Sequence, residues 1–253
     1  MEKDWVEKTV KARILIKDYD LPEEITIEKA YHLQDAYVAG IGKPVGGYKL
    51  AINGPTQKAY FGVSEGASAR VFLDEIHYDG VTLPRSRFGS VSVEPELCAV
   101  LNSVVLKLDG PVDRHGAIAC IDRFHAAIEV VDQRSFTVPQ LTLEQAIALN
   151  IFNAGIVMGE KWIYPRNIDP ETLRATLKLD DKIVGDVTGA APQEPVEAVQ
   201  WLINHCIARG IALEPGMIIM CGTHIPLQLL KDHVRKVEIA MTGLGSVTFF
   251  LNK

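Results

Sequence analysis

The run Ser90-Val91-Ser92-Val93-Glu94-Pro95-Glu96-Leu97-Cys98-Ala99-Val100-Leu101 constrains this chain more than any other segment. It reads as a β-strand, in which residues two apart point to one face, so Glu94 and Glu96 project together. Two parallel carboxylates repel each other unless something neutralises them. A hard divalent cation such as Mg2+ or Mn2+ does so, because oxygen ligands suit it and water or a chelating substrate fills the remaining octahedral positions. A bare Glu-x-Glu pair is nevertheless more often a solvated feature of an open sheet face.

Composition narrows the classes. The 253 residues are 47% hydrophobic and 23% charged, enough for a large core and for two lobes. With 26 Lys and Arg against 32 Asp and Glu the net charge is −6, and no basic cluster is interleaved with aromatics, which argues against nucleic acid as a partner. Met1-Glu2-Lys3-Asp4 begins a segment too charged for a secretory signal, and no apolar run approaches the roughly 18 residues of a membrane span. A soluble cytoplasmic protein is expected. Cys98, Cys120, Cys206 and Cys221 are widely spaced among apolar neighbours, which suits reduced core residues rather than disulfides or a zinc site.

Along the chain, both element types are expected. Residues 12–18 suggest a strand, and a helix is expected from Thr26 as N-cap, with Ala30, Leu33 and Tyr37 on one face and Gly40 near its end. Gly46–Ile52 reads as a strand, with Asn53-Gly54-Pro55 as the turn that ends it. The small and polar stretch from Gly62 to Pro84 places a boundary near residue 80, giving an N-terminal lobe of residues 1–80 and a body of residues 81–253. In the body, the pattern predicts a helix over 115–126 and a following strand from Ile128, so that Glu129 falls at the junction. Thr142-Leu143-Glu144-Gln145 fits a capping box. The clearest helix is 195–209, with Pro195 in its first turn, a stripe of Val199, Leu202, Ile203, Cys206 and Ile207, and Gly210 as its stop. Strands at 217–221, 234–241 and 246–251 complete an α+β body, and Gly243-Leu244-Gly245 reads as a turn between two of them rather than a dinucleotide loop.

An ordered series of motifs carries a resemblance. Gly47-Tyr48-Lys49-Leu50, Gln57 with Gly62-Val63, Val71-Phe72-Leu73-Asp74, Glu94-Pro95-Glu96-Leu97 and Ala127-Ile128-Glu129-Val130-Val131-Asp132 come first. Ala154-Gly155-Ile156-Val157-Met158-Gly159, Leu213-Glu214-Pro215-Gly216, Cys221-Gly222-Thr223 and Gly243-Leu244-Gly245-Ser246-Val247 follow. Together they resemble the 2-keto-4-pentenoate hydratase and 4-oxalocrotonate decarboxylase branch of the fumarylacetoacetate hydrolase superfamily. The resemblance implies an α+β fold built as a mixed β-sheet roll with a small N-terminal α/β lobe, and an assembly of several copies. It also implies an Mg2+ or Mn2+ site formed by Glu94, Glu96 and Glu129, at which a 2-oxo acid chelates and the cation stabilises the enolate.

Other residues take roles from the same match. Lys49 matches the lysine of the family's Gly-x-Lys motif and would hold the substrate carboxylate or, with its pKa lowered by burial, exchange protons with the carbon skeleton; by itself it reads as an exposed strand lysine. Asp74 would orient Lys49 or a water, with a plain turn carboxylate as the other reading. Thr223 stands at a small hydroxyl position near the substrate carboxylate, and Leu97 would offer backbone and an apolar wall. His224 is a candidate acid/base or specificity residue, whereas His125 is expected to be structural.

Two segments depart from the family pattern. Asn150-Ile151-Phe152-Asn153 replaces a run of the Asp-Asn-Ala-Ser type, and Thr223-His224-Ile225-Pro226 replaces a Ser-x-Thr type. The implied activity is hydration of a 2-hydroxydienoate to a 4-hydroxy-2-oxo acid, with a small 2-oxo acid or dienoate as substrate and neither nucleic acid nor membrane as a partner. Decarboxylation of an oxalocrotonate, C–C hydrolysis of an acylpyruvate, and a noncatalytic family member stand as alternatives; the Val91-Ser92-Val93 lead-in lacks the aromatic pair usual in the hydrolases.

Overall fold

The structure, a computed structural model, describes residues 2–137 and 140–252. Its helices are α1 (Glu2–Leu15), α2 (Ile27–Ile41), α3 (Pro55–Phe61), α4 (Arg114–Cys120), α5 (Leu143–Ala148) and α6 (Pro195–Ala208). Its strands are β1 (Val45–Ala51), β2 (Ala67–Phe72), β3 (Ile76–Tyr78), β4 (Thr82–Pro84), β5 (Val91–Leu101), β6 (Ile121–Asp132) and β7 (Asn153–Ile163), then β8 (Arg174–Leu179), β9 (Lys182–Thr188), β10 (Ile218–Thr223), β11 (Gln228–Leu229), β12 (Lys236–Met241) and β13 (Gly245–Asn252). One mixed sheet runs β2-β1-β10-β5-β6-β7-β3, with β11 on the end of β5; the second runs β4-β13-β12-β8-β9. This is the α+β architecture the motifs implied.

The two faces of the large sheet have different duties. Leu97, Ala99, Ile128 and Val130 point toward the second sheet, where Leu177, Val237, Ile239, Val247 and Phe249 meet them in the main core. Helix α6 closes the same core with Val196, Val199, Leu202, Ile203 and Cys206. Truncating such a side chain, Leu97→Ala for example, costs about 2–5 kcal/mol. The opposite face carries Cys98, Val100, Ala127 and Met220 in a smaller cluster, and beside it α2 and α5 pack through Ala30, Leu33, Leu143 and Ile147. All four cysteines are buried and free.

Local chemistry sets several element ends as expected. Thr26 Oγ1 accepts the Lys29 N–H to open α2, and Thr142 and Gln145 cap α5 reciprocally at 3.2 and 3.1 Å. Pro195 starts α6, and Gly210 follows it in the left-handed region at φ 66°. Asn53-Gly54-Pro55 does end β1, and it also opens α3, with Pro55 at the first helical position.

Two expectations are corrected. Residues 12–15 lie in the last turn of α1 and not in a strand. Tertiary packing overrides the β-like composition: a Cβ on Gly40 would lie 2.9 Å from Val10 Cγ2, so α1 packs closely on α2, and Arg13 grips Glu75 with two 2.8 Å hydrogen bonds. The helix of 115–126 stops at Cys120, because Ile121–Asp132 is a central strand paired along its length with β5 and with β7. Glu129 therefore sits mid-strand and not at a junction. Strands from both sides of residue 80 share the large sheet, with β1 paired in parallel with β10 and β2 paired with β1. Among the described residues, the helices α1, α2 and α3 stand outside the sheet at the N-terminal end.

Candidate metal centre

Three strands bring the charged residues together. Glu94 and Glu96 project from β5; Glu129 on β6 is the cross-strand partner of Glu94, and Ala127 is the partner of Glu96. One carboxylate oxygen from each glutamate lies within 4.8 Å of the others. Lys49 reaches them from β1 across β10, and its Nζ stands 2.5 Å from Glu129 Oε1. Lys49, Glu96 and Glu129 are buried, and Glu94 is half-buried at the cavity edge.

The backbone of β10 completes the cluster. Its ladder with β5 shifts between Met220 and Thr223, and there the Gly222 N–H donates to Glu96 Oε2 at 2.8 Å. Gly222 has φ 103°, and a Cβ there would come within 2.5 Å of Asn53 Oδ1, so only glycine serves this close approach. Asn53 in turn donates to the Cys221 carbonyl at 2.9 Å, which ties the end of β1 to β10.

Electrostatics define what is missing from charge balance. Burial and the neighbouring Glu129 push the Glu94 carboxyl up to about 7, with Lys49 pulling the other way. Burial and repulsion from Glu129 and Glu94 drive Glu96 well above the carboxylate range. Glu129 is raised by burial, partly offset by Lys49. Burial pushes the Lys49 ammonium down, but Glu129 and Glu94 more than compensate, so it is held charged. The idea that burial lowers the Lys49 pKa is corrected on that account. The Glu129 carboxylate is met by the Lys49 ammonium, and the Asn153 carboxamide stands beside it. Three carboxylates and one ammonium leave a formal charge of −2, which a divalent cation with oxygen ligands neutralises. The residues present fit such an ion.

These groups open onto a cavity of about 350 Å3. Thr223 and His224 line it. The Thr223 hydroxyl donates to the Ile225 carbonyl at 2.5 Å, leaving its lone pairs for the cavity. His224 is 5% exposed, its backbone N–H donates to the Pro95 carbonyl at 2.9 Å, its Nδ1 lacks a partner, and burial lowers its pKa to about 4. It is therefore a neutral imidazole near pH 7. His125 is away from the cavity, with Nδ1 2.8 Å from the Gly159 carbonyl, in keeping with a structural role.

Two expected residues are elsewhere. Asp74 lies in an exposed turn after β2 and pairs with Lys43 at 2.8 Å; its carboxylate does not orient Lys49. Leu97 points into the inter-sheet core, because strand alternation turns it away from the face of Glu94 and Glu96. Asn53 and Asn153 also belong to the site. In the sequence, Asn53 marks only a turn and Asn153 only a departure from a pattern.

An α+β roll whose central strands converge three carboxylates on a cavity defines a fold of the fumarylacetoacetate hydrolase type. Residues 68–251 match the fumarylacetoacetate (FAA) hydrolase C-terminal family, and the chain belongs to that family. It is 29% identical over 246 residues to 2-oxo-hept-4-ene-1,7-dioate hydratase of Escherichia coli, covering 91% of this chain and 89% of that protein. It is 27% identical over 210 residues to 2-keto-4-pentenoate hydratase of Burkholderia vietnamiensis strain G4, covering 81% and 78%. The fold superposes on 4-oxalocrotonate decarboxylase from Pseudomonas putida G7, complexed with magnesium and adipate, with a TM-score of 0.87 at 20% identity over 99% of this chain and 97% of that one.

Proposed function

We propose that this protein is a divalent-metal-dependent hydro-lyase that adds water to a 2-hydroxydienoate and yields a 4-hydroxy-2-oxo acid. The observation that carries the reading is the −2 cluster of Glu94, Glu96, Glu129 and Lys49 at the base of a cavity sized for a small organic acid. The hydratase names of the relatives support it. Glu94, Glu96 and Glu129 would hold Mg2+ or Mn2+, which supplies Lewis-acid polarisation of a substrate's adjacent oxo and carboxylate oxygens.

The chain's own groups account for orientation and proton handling. Lys49 Nζ is the only ammonium lining the cavity among the described residues, so it pairs with the substrate carboxylate or with negative charge developing on the 2-oxygen. The reaction balances as two proton movements and one water. The proton leaves the 2-hydroxyl while another joins the end of the diene, giving an enone; water oxygen then bonds to C4 and a proton to C3. Neutral His224 lines the same cavity and would serve as a polar or acid/base group for the adding water. Thr223 and the amides of Asn53 and Gln57 line the same cavity and serve as uncharged polar contacts.

The test is a panel of 2-hydroxypenta-2,4-dienoate, oxalocrotonate and acylpyruvates with Mg2+ or Mn2+, followed by dienol absorbance and product mass. Hydration shows as loss of dienol with the mass gain of one water. Loss of CO2 or C–C cleavage instead would replace this reading, and tight metal binding without any turnover would point to a noncatalytic protein.

A further inference from the structure

Helix α1 is held to the body by polar contacts more than by apolar burial. Of its 14 residues Thr9 alone is buried, while Ile14 and Leu15 at its end are exposed. Two arginines make the attachment, one from each side. Arg13, in the last turn of α1, grips Glu75 through two 2.8 Å hydrogen bonds, lies over the Phe72 ring at 5.3 Å, and donates from Nη1 to the Asn153 carbonyl at 2.9 Å. In return Arg134, two residues past the end of β6, donates to the carbonyls of Lys17 and Arg13 at 3.2 and 3.5 Å. Arg134 is itself paired with Asp132, whose carboxylate also accepts the Gly89 and Ser90 N–H groups at 2.9 and 2.8 Å. These side chains line a second cavity, of about 340 Å3, and their charges are taken up by one another.

Asn153, which Arg13 holds, sits where the sheet is irregular. Glu129 pairs with Ile156 and Val130 with Gly155, but Val131 pairs with Asn153, so the ladder slips by one residue next to the glutamate. Just upstream, Asn150, Ile151 and Phe152 have φ of 53, 46 and 54° in succession, left-handed backbone that no regular strand continues. The ladder therefore does not fix Asn153, and the Arg13 hydrogen bond to its carbonyl supplies the constraint. Gly155 tightens the same joint: its φ is 126°, and a Cβ there would lie 2.7 Å from the Glu75 carbonyl oxygen. As the cross-strand partner of Val131, Asn153 shares the sheet face of Val131 and Glu129 and is a diagonal neighbour of Glu129. Its buried carboxamide stands beside the Glu129 carboxylate.

We infer that Arg13 is a positioning residue of the metal centre: it fixes Asn153, whose carboxamide steadies the Glu129 ligand, so that α1 is part of the working site. This rests on the metal centre proposed above and extends it to residues that touch neither the ion nor the substrate. A carboxylate drawn toward Lys49 on one side can turn away from a cation, and an amide N–H beside it restrains that turn. Groups of this kind, placed behind the ligands, set metal affinity by holding ligand orientation. Arginine suits the task because its planar fork binds the Glu75 carboxylate and the Asn153 carbonyl together, whereas lysine offers one point charge.

The test is Mn2+ affinity, measured by calorimetry on the full chain, with the melting temperature of each metal-free variant recorded beside it. Asn153→Ala should weaken Mn2+ binding about 10- to 100-fold, the range for losing a group that orients a ligand, and Arg13→Ala should weaken it about tenfold. Arg13→Lys, which keeps the charge without the fork, should lie between Arg13→Ala and the unaltered protein. In the double variant the loss should not exceed that of Asn153→Ala, because Arg13 acts through Asn153. Val199→Ala, a core truncation in α6, should lower the melting temperature and leave Mn2+ affinity unchanged, which separates positioning from stability. Unchanged Mn2+ affinity in Arg13→Ala, or additive losses in the double variant, overturns the inference and leaves the metal centre standing. If Arg13→Ala does not fold, Arg13→Lys decides, and affinity equal to that of the unaltered protein overturns the inference. Absence of Mn2+ binding in the unaltered protein overturns both. Mn2+ binding that weakens as expected in the variants, with no turnover of any dienoate, upholds the inference and removes the hydro-lyase reading alone.

Discussion

Glu94 on β5 and Glu129 on β6 are direct cross-strand partners, so two carboxylates face each other across an antiparallel ladder, with Glu96 in reach of both. Like charges so placed are destabilising, and one ammonium, Lys49, offsets only part of the repulsion. The arrangement is costly in isolation and favourable around a cation.

Mn2+ or Mg2+ should therefore raise the melting temperature. At a hundredfold excess over Kd the gain is about 2.7 kcal/mol, read as roughly 5–10 °C for a chain of this size. Glu96→Gln keeps an acceptor for the Gly222 N–H but removes a charged ligand. It should lose most of the shift in a metal titration followed by calorimetry; an unchanged titration would sink the proposed centre.

In the metal-free protein, stability should fall as pH rises. Glu94 is raised from its ordinary 4.5 to about 7, so between those values the native state binds more protons than the unfolded chain. The slope of unfolding free energy with pH is then negative across that window, the reverse of the usual salt-bridged carboxylate. Glu96 and Glu129, raised in the same direction, reinforce it. Melting temperatures of chelator-treated protein from pH 5 to 8 should decline, and Mn2+ should flatten the decline.

Lys49→Met should separate binding from chemistry. Removing the ammonium beside Glu129 leaves Mn2+ affinity unchanged or tighter, because a repelling charge is gone. Turnover should drop about 10^2 to 10^3-fold, the range for loss of one group that stabilises developing negative charge. Parallel loss of metal binding in a titration would show that Lys49 shapes the centre instead.

Asn150→Ala should destabilise the fold and loosen the cavity wall together. The side-chain amide substitutes for a neighbouring strand along the outer edge of β2, and without it the Arg70 N–H and carbonyl lose their partner. Two buried groups at about 1–2 kcal/mol each predict a melting temperature lower by roughly 5–15 °C. Thermal unfolding of the variant measures this directly.

What local chemistry controls was legible in the sequence. Strand alternation placed Glu94 and Glu96 on one face, caps and stops framed α2, α5 and α6, and the Gly243–Gly245 turn joined β12 to β13. Each depends on neighbours a few residues away. Motif order also carried the fold type and brought Glu129 and Lys49 into one site, although neither residue by itself announces a role.

Tertiary structure decided the rest. Ile121–Asp132 has a helix-compatible pattern at its start, yet two flanking strands hydrogen-bond to it, and that ladder sets Glu129 opposite Glu94. Arg13 stays helical because α1 packs at Gly40 and reaches Glu75. Asp74 and Leu97 fit a motif but face solvent and core, since a motif carries residue identity without side-chain direction. The turn at Asn150–Phe152 shows the limit most clearly: three non-glycine residues adopt left-handed backbone that none favours alone, held there by Arg70, some eighty residues away in the chain. The sequence by itself determined which charges the chain would gather, because strand period and motif order are written locally; only packing between distant segments decided which side chains face them and how the cavity beyond them is walled.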